Sequence, residues 1–155
     1  MAPLEIKESL QNCEIFSLLD EGTIEQIAQL SSVETYEAGD TVITQGEYGT
    51  KTYLIAEGQV ALTRTVNLGE RNGEVTIDIL GKGRGMGWAS FLCEPCSVSA
   101  TAKCQKPTKL VVIEGTALRA MLEANPQTGF AVMDRLAQVI ANRLRAAYGA
   151  MDTFK

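Results

Sequence analysis

The stretch that decides the fold reads Tyr53-Leu54-Ile55-Ala56-Glu57-Gly58, and a second apolar run, residues 60–66, follows it. Short runs of this kind that end at a pair such as Glu57-Gly58 are typical of β-strands joined by turns. The first run itself covers residues 52–56, and similar runs lie on either side of these two, at residues 41–44, 75–80, 98–102 and 110–113. Many short strands at roughly even spacing predict a sandwich or a barrel-like roll.

Helical patterns flank this β region. Apolar residues recur at three- and four-residue spacings over residues 4–31, and again over 117–124 and 128–151. We therefore expect a single domain over residues 1–155 that is mainly β, a double-stranded β-helix of the jelly-roll type with flanking helices. Its predicted parts are N-terminal helices (1–31), a β-roll (32–114) and two C-terminal helices (115–155), of which the last is long.

The long C-terminal helix carries a narrow apolar stripe. At about 100° per residue, six side chains fall within about 80° of one another: Met133, Leu136, Ile140, Leu144, Ala147 and Met151. A stripe this narrow is closer to a coiled-coil seam than to a broad core-facing surface. It predicts a homodimer through the long helix, with packing of the helix on its own β-roll as the alternative.

Composition excludes several classes of function. The net charge of −5 and the lack of a Lys/Arg cluster argue against nucleic-acid binding by this chain alone. The absence of histidine rules out a Ser-His-Asp or Cys-His triad, so we expect no catalytic residues and no enzyme. The chain shows neither a secretory signal nor an apolar run of the roughly 20 residues that a membrane span needs. We therefore expect a cytoplasmic protein with no membrane partner.

Four glycine-containing marks follow one another along the β region: 38–40 (Ala-Gly-Asp), 46–49 (Gly-Glu-Tyr-Gly), 53–58, and 80–87, which runs from Leu-Gly to Gly87. In this order and at these intervals they resemble the effector domain of catabolite-activator and nitrogen-fixation-regulator type (Crp/Fnr) proteins. The resemblance extends from about Phe16 to Met151. It implies a cyclic nucleotide-binding-type domain that senses a ligand and regulates a partner.

The resemblance also indicates where a ligand would bind. In that family the cyclic phosphate sits at a short helix after the position of Gly87, a glutamate accepts a hydrogen bond from the ribose 2′-hydroxyl, and an arginine pairs with the phosphate. Here Trp88 stands at the glutamate position and Val98 at the arginine position, as in a divergent Gly-Trp subset. Cyclic AMP or cyclic GMP is therefore expected to bind weakly, or to be replaced by another effector.

The candidate ligand-binding residues follow from this alignment with the family. They are Gly87, Trp88, Ala89, Ser90, Val98, Ser99, Ala100, Thr101 and, on the long helix, Tyr148. Trp88 has two interpretations: it fills the emptied pocket, or it stacks on a planar or apolar effector. No metal ligand and no other cofactor is assigned.

Two other functions remain open at this stage: a ligand-free dimerisation or docking module, and a thiol redox sensor. The cysteines are Cys13, Cys93, Cys96 and Cys104, and the family's iron-sulfur cysteines do not map onto them. Ordinary thiols are expected, with a redox pair or a metal site as alternatives. Catabolite-activator regulators carry a winged helix-turn-helix after the long helix, whereas this sequence has none, which fits both a stand-alone domain and a fragment of a larger regulator.

Overall fold

The structure is a computed structural model that describes residues 4–92 and 97–152. Two N-terminal helices precede eight strands, a short helix interrupts the strands, and two helices follow them. In chain order the elements are α1 (Leu4–Gln11), α2 (Glu21–Gln29), β1 (Ser31–Tyr36), β2 (Thr41–Ile43), β3 (Lys51–Glu57), β4 (Val60–Asn67), β5 (Asn72–Leu80), β6 (Gly85–Met86), α3 (Ala89–Leu92), β7 (Thr101–Cys104), β8 (Thr108–Glu114), α4 (Gly115–Ala124) and α5 (Pro126–Met151).

The strands form two four-stranded antiparallel sheets, in the orders β1-β8-β3-β6 and β2-β7-β4-β5. In the first sheet Val112 of β8 pairs with Tyr53 of β3 on one side and with Ser32 of β1 on the other. In the second sheet β4 lies between β5 and β7. This strand order, together with the helices at both ends of the chain, confirms the predicted mainly β roll with flanking helices and a long last helix.

The first sheet is buried on both faces. Leu110 and Val112 of β8 belong to the cluster between the two sheets. Val111 and Ile113, which alternate with them, belong to the cluster beneath the helices, called here the helix-side core. Because successive side chains of a strand point to opposite faces, a strand covered on both sides reads as an unbroken apolar run. This explains why residues 110–113 show no polar alternation.

The predicted helical stretch over residues 4–31 is interrupted. Residues 12–19 form turns, although Ile15 and Phe16 within them are buried. Glu14 explains the interruption, because its backbone N–H donates to the carbonyl of Gly83 at 2.9 Å and its carboxylate accepts from the N–H of Gly85 at 2.8 Å. Asp20 then starts α2 by accepting a hydrogen bond from the N–H of Thr23.

Other boundaries also differ from the sequence prediction. A strand, β1, begins at Ser31, and the strand expected over residues 98–102 instead covers Thr101–Cys104. Pro126, expected to precede the long helix, occupies its first turn, where the missing N–H needs no partner within the helix. Among the helices that the structure describes, none combines the length and the apolar character of a membrane span.

Candidate functional site

A cavity of about 450 Å³ opens between the second sheet, the segment after β6 and the second half of α5. Its size falls within the range of roughly 300–1,000 Å³ that is usual for small-molecule sites. Most of its lining side chains are aliphatic. The lining residues are Ile43, Leu62, Arg64, Ile77, Met86, Gly87, Trp88, Ala89, Leu92, Val98, Ser99, Ala100, Ile140, Arg143, Leu144 and Ala147.

Gly87 sets the path of the chain along this cavity. It has a φ of +76°, and a Cβ at this position would lie 2.7 Å from the carbonyl oxygen of Lys51. Both the backbone angle and the close approach therefore require glycine. The turn at Gly87 ends β6 and begins the short helix α3, so it fixes the direction in which Trp88 leaves the backbone.

Trp88 packs into the helix-side core and also forms part of the cavity wall. Its side chain is only 5% exposed and meets Phe91 edge-on, with ring centroids 6.2 Å apart. The six-membered ring lies against Gly85, where an added Cβ would come within 2.5 Å of Cζ2. The indole Nε1 has no hydrogen-bond partner among the described residues, although it is buried. Both interpretations of Trp88, filler and ligand contact, are compatible with this position.

Arg143 reaches the cavity from α5. Its Nη2 donates to the carbonyl of Gly85 at 3.0 Å and lies 3.9 Å from the Glu14 carboxylate. Its Nε is buried and has no partner among the described residues. Burial lowers the pKa of Arg143 from its ordinary value, and the attraction of Glu14 opposes that shift. The guanidinium is thus held in a largely desolvated position, with the Glu14 carboxylate as its counterion at 3.9 Å.

Arg64 adds a second positive charge at the cavity. It lies on β4 two residues after Leu62, and its guanidinium donates to the carbonyl of Ser99. The prediction that both charged anchors are replaced therefore left out two cations that the fold supplies from β4 and α5. The signal for Arg64 was present in the sequence, because it is the only charged residue in the run over 60–66.

Six of the nine predicted ligand-binding residues line the cavity: Gly87, Trp88, Ala89, Val98, Ser99 and Ala100. Three do not line it. Ser90 is hydrogen-bonded to Thr52, with 2.7 Å between the two hydroxyl oxygens, and the Thr101 hydroxyl accepts from the N–H of Gln45. Tyr148 is 59% exposed, and its neighbour Ala147 lines the cavity instead.

The thiols that the structure describes are buried. Burial raises the pKa of Cys13 to about 12 and also raises that of Cys104. A thiol reacts as its thiolate, so these environments disfavour redox chemistry at either residue. Cys93 and Cys96, the pair with the two-residue gap, lie outside the described residues.

Comparisons with known proteins agree with this architecture. The family model described as "Cyclic nucleotide-binding domain" matches residues 33–125, more than half of the chain. The Cyclic AMP receptor protein of Thermus thermophilus is 35% identical over 112 residues, which are 72% of this chain and 48% of that protein. A Rhodopseudomonas palustris protein whose name describes a potassium channel is 33% identical over 129 residues, 83% of this chain and 29% of that protein.

Among solved structures, a cyclic nucleotide-binding domain from Methylobacillus flagellatus superposes with a TM-score of 0.79 at 23% identity, covering 97% of this chain and 83% of that one. This chain spans less than half the length of either curated relative. The order of the strands, the turn at Gly87, the cavity beside it and the matched family model lead to one conclusion. The chain belongs to the cyclic nucleotide-binding domain family, and its structural neighbours include regulators of the Crp/Fnr type.

Proposed function

We propose that this chain is a regulatory domain that senses a small-molecule effector and performs no catalytic step. The observation that carries the proposal is the composition of the cavity wall. The segment after β6 forms one side of it, and Ile140, Arg143, Leu144 and Ala147 of α5 form another. A molecule in the cavity would therefore contact the β-roll and the long helix at the same time.

Cyclic AMP and cyclic GMP are proposed to bind weakly, or to be replaced by another effector. Trp88 and Val98 stand where the family's ribose-binding glutamate and phosphate-binding arginine are expected. Each lost hydrogen bond to a charged group costs about 1.5–3 kcal/mol. Since about 1.4 kcal/mol is a factor of ten, two such losses weaken binding by about a hundred-fold or more.

Titration calorimetry with cyclic AMP and cyclic GMP tests this proposal. We expect dissociation constants above about 1 μM, and a value near or below about 1 μM would contradict weak binding. The double variant Trp88→Glu with Val98→Arg should bind cyclic AMP more tightly, because it restores a carboxylate for the ribose 2′-hydroxyl and an arginine for the cyclic phosphate. The uncharged double variant Trp88→Gln with Val98→Met is the matched control, and an equal gain in both variants would refute the role of the charges.

The long helix is proposed to carry the signal. An effector that bridges the segment after β6 and α5 favours the helix position that makes both contacts, and it shifts the equilibrium only by its differential affinity for the two positions. Hydrogen exchange should then become slower in residues 87–101 and in residues 140–151 together. Slower exchange confined to residues 87–101 would contradict coupling to the helix.

A homodimer through the second half of α5 is proposed as part of the same device. Ile140, Leu144 and Met151 recur at helical spacing and are 43%, 50% and 62% exposed. A second copy would cover this seam as in a coiled coil.

The variant Ile140→Asp should sediment as a folded monomer, whereas Asn142→Asp, which adds a charge on the opposite side of the helix, should leave the dimer intact. A wild-type chain that is monomeric at tens of micromolar would exclude this interface. The cytoplasmic location and the lack of nucleic-acid and membrane partners stay predictions from the sequence.

A further inference from the structure

The described residues contain two buried side-chain nitrogen atoms without a hydrogen-bond partner, and both belong to residues that line the cavity. They are Nε1 of Trp88 and Nε of Arg143. Both groups can only donate a hydrogen bond. A buried donor without a partner is unfavourable, and such groups in native structures call for a specific explanation. The missing partner must be an acceptor.

Both donors belong to side chains that contact Gly85, the residue before the cavity-lining Met86. The Trp88 ring packs against Gly85, and the Arg143 guanidinium donates through Nη2 to the carbonyl of that same glycine. The Glu14 carboxylate is 3.9 Å from Arg143 and 3.8 Å from Arg84, so the two arginines share one counterion. Arg64 adds further positive charge on the cavity wall. This region therefore favours an acceptor that carries a negative charge.

The remainder of the cavity favours an apolar molecule. Aliphatic side chains come from three strands and from α5, including Ile43, Leu62, Ile77, Ile140 and Leu144. Among the described lining residues, the polar side chains are Arg64, Trp88, Ser99 and Arg143, and none is acidic. The hydroxyls and ring nitrogens of a nucleotide would find few partners on such walls, and each buried polar group left unpaired is costly.

We propose that the effector of this cavity is an organic acid with one carboxylate and an apolar body. The carboxylate accepts hydrogen bonds from Trp88 Nε1 and Arg143 Nε, and the apolar body packs on the aliphatic walls. The proposal rests on the proposed function, since it names the class of effector for the same cavity.

A matched pair of probes tests the proposal in the full chain. The acid 4-phenylbutyrate and its neutral amide, 4-phenylbutanamide, have the same apolar body and differ in charge. Titration calorimetry should show that the acid binds at least about tenfold more tightly than the amide, as expected for a charge-assisted hydrogen bond. Equal affinities for the acid and the amide would overturn the proposal.

Two conservative variants test the named atoms. Trp88→Phe keeps an aromatic ring against Phe91 and removes the Nε1 donor, and Arg143→Lys keeps the charge and removes Nε. Each should weaken binding of 4-phenylbutyrate by about fivefold or more, with little effect on the amide. Arg145→Gln, an exposed position on the same helix, is the control and should bind as the wild type does. Unchanged affinity in both folded variants would overturn the assignment of the two donors.

A third titration, with cyclic AMP, separates the carboxylate proposal from the proposed sensor function. If cyclic AMP binds measurably and 4-phenylbutyrate does not, the carboxylate proposal fails and the sensor function stands. If neither acid, amide nor cyclic AMP binds to the folded chain at millimolar concentration, both fail.

Discussion

The two halves of α5 have similar apolar spacing and opposite environments. In the first half, residues 126–139, Val132 and Leu136 are fully buried, and Met133 and Val139 pack against the same helix-side core. In the second half, residues 140–151, no apolar side chain is buried, and Ile140, Leu144, Tyr148 and Met151 are exposed. The first half stabilises the fold, and the second half forms the cavity wall and the surface proposed for dimerisation. One continuous apolar stripe thus contributes to fold stability in its first half and to the cavity and the proposed dimer surface in its second half.

Leucine truncation should show the largest difference between the halves. Leu136→Ala removes a buried side chain and should lower the free energy of unfolding by about 2–5 kcal/mol. Leu144→Ala, eight residues further along, truncates a half-exposed side chain and should lower it by less than about 1 kcal/mol. Urea denaturation of the two variants measures the difference. Equal losses would show that the second half is as well covered as the first.

The next largest difference in the free energy of unfolding is expected between variants of the two α5 arginines, Arg135 and Arg143. Arg135 donates from Nε and Nη2 to the carbonyl of Glu14, at 3.2 and 2.9 Å. Arg135→Met should therefore lower the free energy of unfolding by about 1.5–3 kcal/mol.

For Arg143, the cost of burying the charge offsets its interactions, and an apolar replacement of similar length is often neutral in such a place. Arg143→Met should change the free energy of unfolding by less than about 1 kcal/mol. A larger loss for Arg143→Met than for Arg135→Met in thermal unfolding would reverse the comparison.

The smallest effects are expected at two helical glycines, one in each half. A Cβ on Gly129 would lie 2.8 Å from the carbonyl oxygen of Leu122, whereas nothing lies within 4 Å of a Cβ on Gly149. Gly129→Ala should therefore destabilise the chain by about 1–2 kcal/mol. Gly149→Ala should stabilise it by up to about 1 kcal/mol, because alanine favours the helix. Calorimetric melting temperatures should shift in opposite directions, and shifts of the same sign would refute the difference in packing.

Sequence reasoning reached further for the fold than for the site. Glycine-punctuated β runs, such as the one ending at Glu57-Gly58, predicted the roll because turns and strand propensities act over a few residues. The same reasoning predicted a helix through residues 12–19, where Ile15 and Phe16 are followed at helical spacing by Leu18 and Leu19. It failed there because Glu14 bonds to Gly83 and Gly85, about 70 residues away, and local periodicity carries no information about such contacts.

The candidate site shows the same limit. The segment from Gly87 to Ala100 was found because its residues are close in the sequence and match a family pattern. Arg64 and Arg143 were not assigned to the site, since they lie 79 residues apart in the sequence and meet only across the cavity. Tyr148 was assigned by mapping the family's base contacts onto the long helix, and the structure brings its neighbour Ala147 to the wall instead.

The sequence by itself determined that the chain forms a β-roll between helices, and it predicts that Trp88 and Val98 replace the family's charged anchors. It also determined the stripe on the long helix, because helical periodicity is a property of the local backbone. Only the tertiary structure decided which half of that stripe is covered, and which distant cations and buried donors converge on the cavity. These depend on how the closed roll positions α5, and that position arises from packing between segments far apart in the chain.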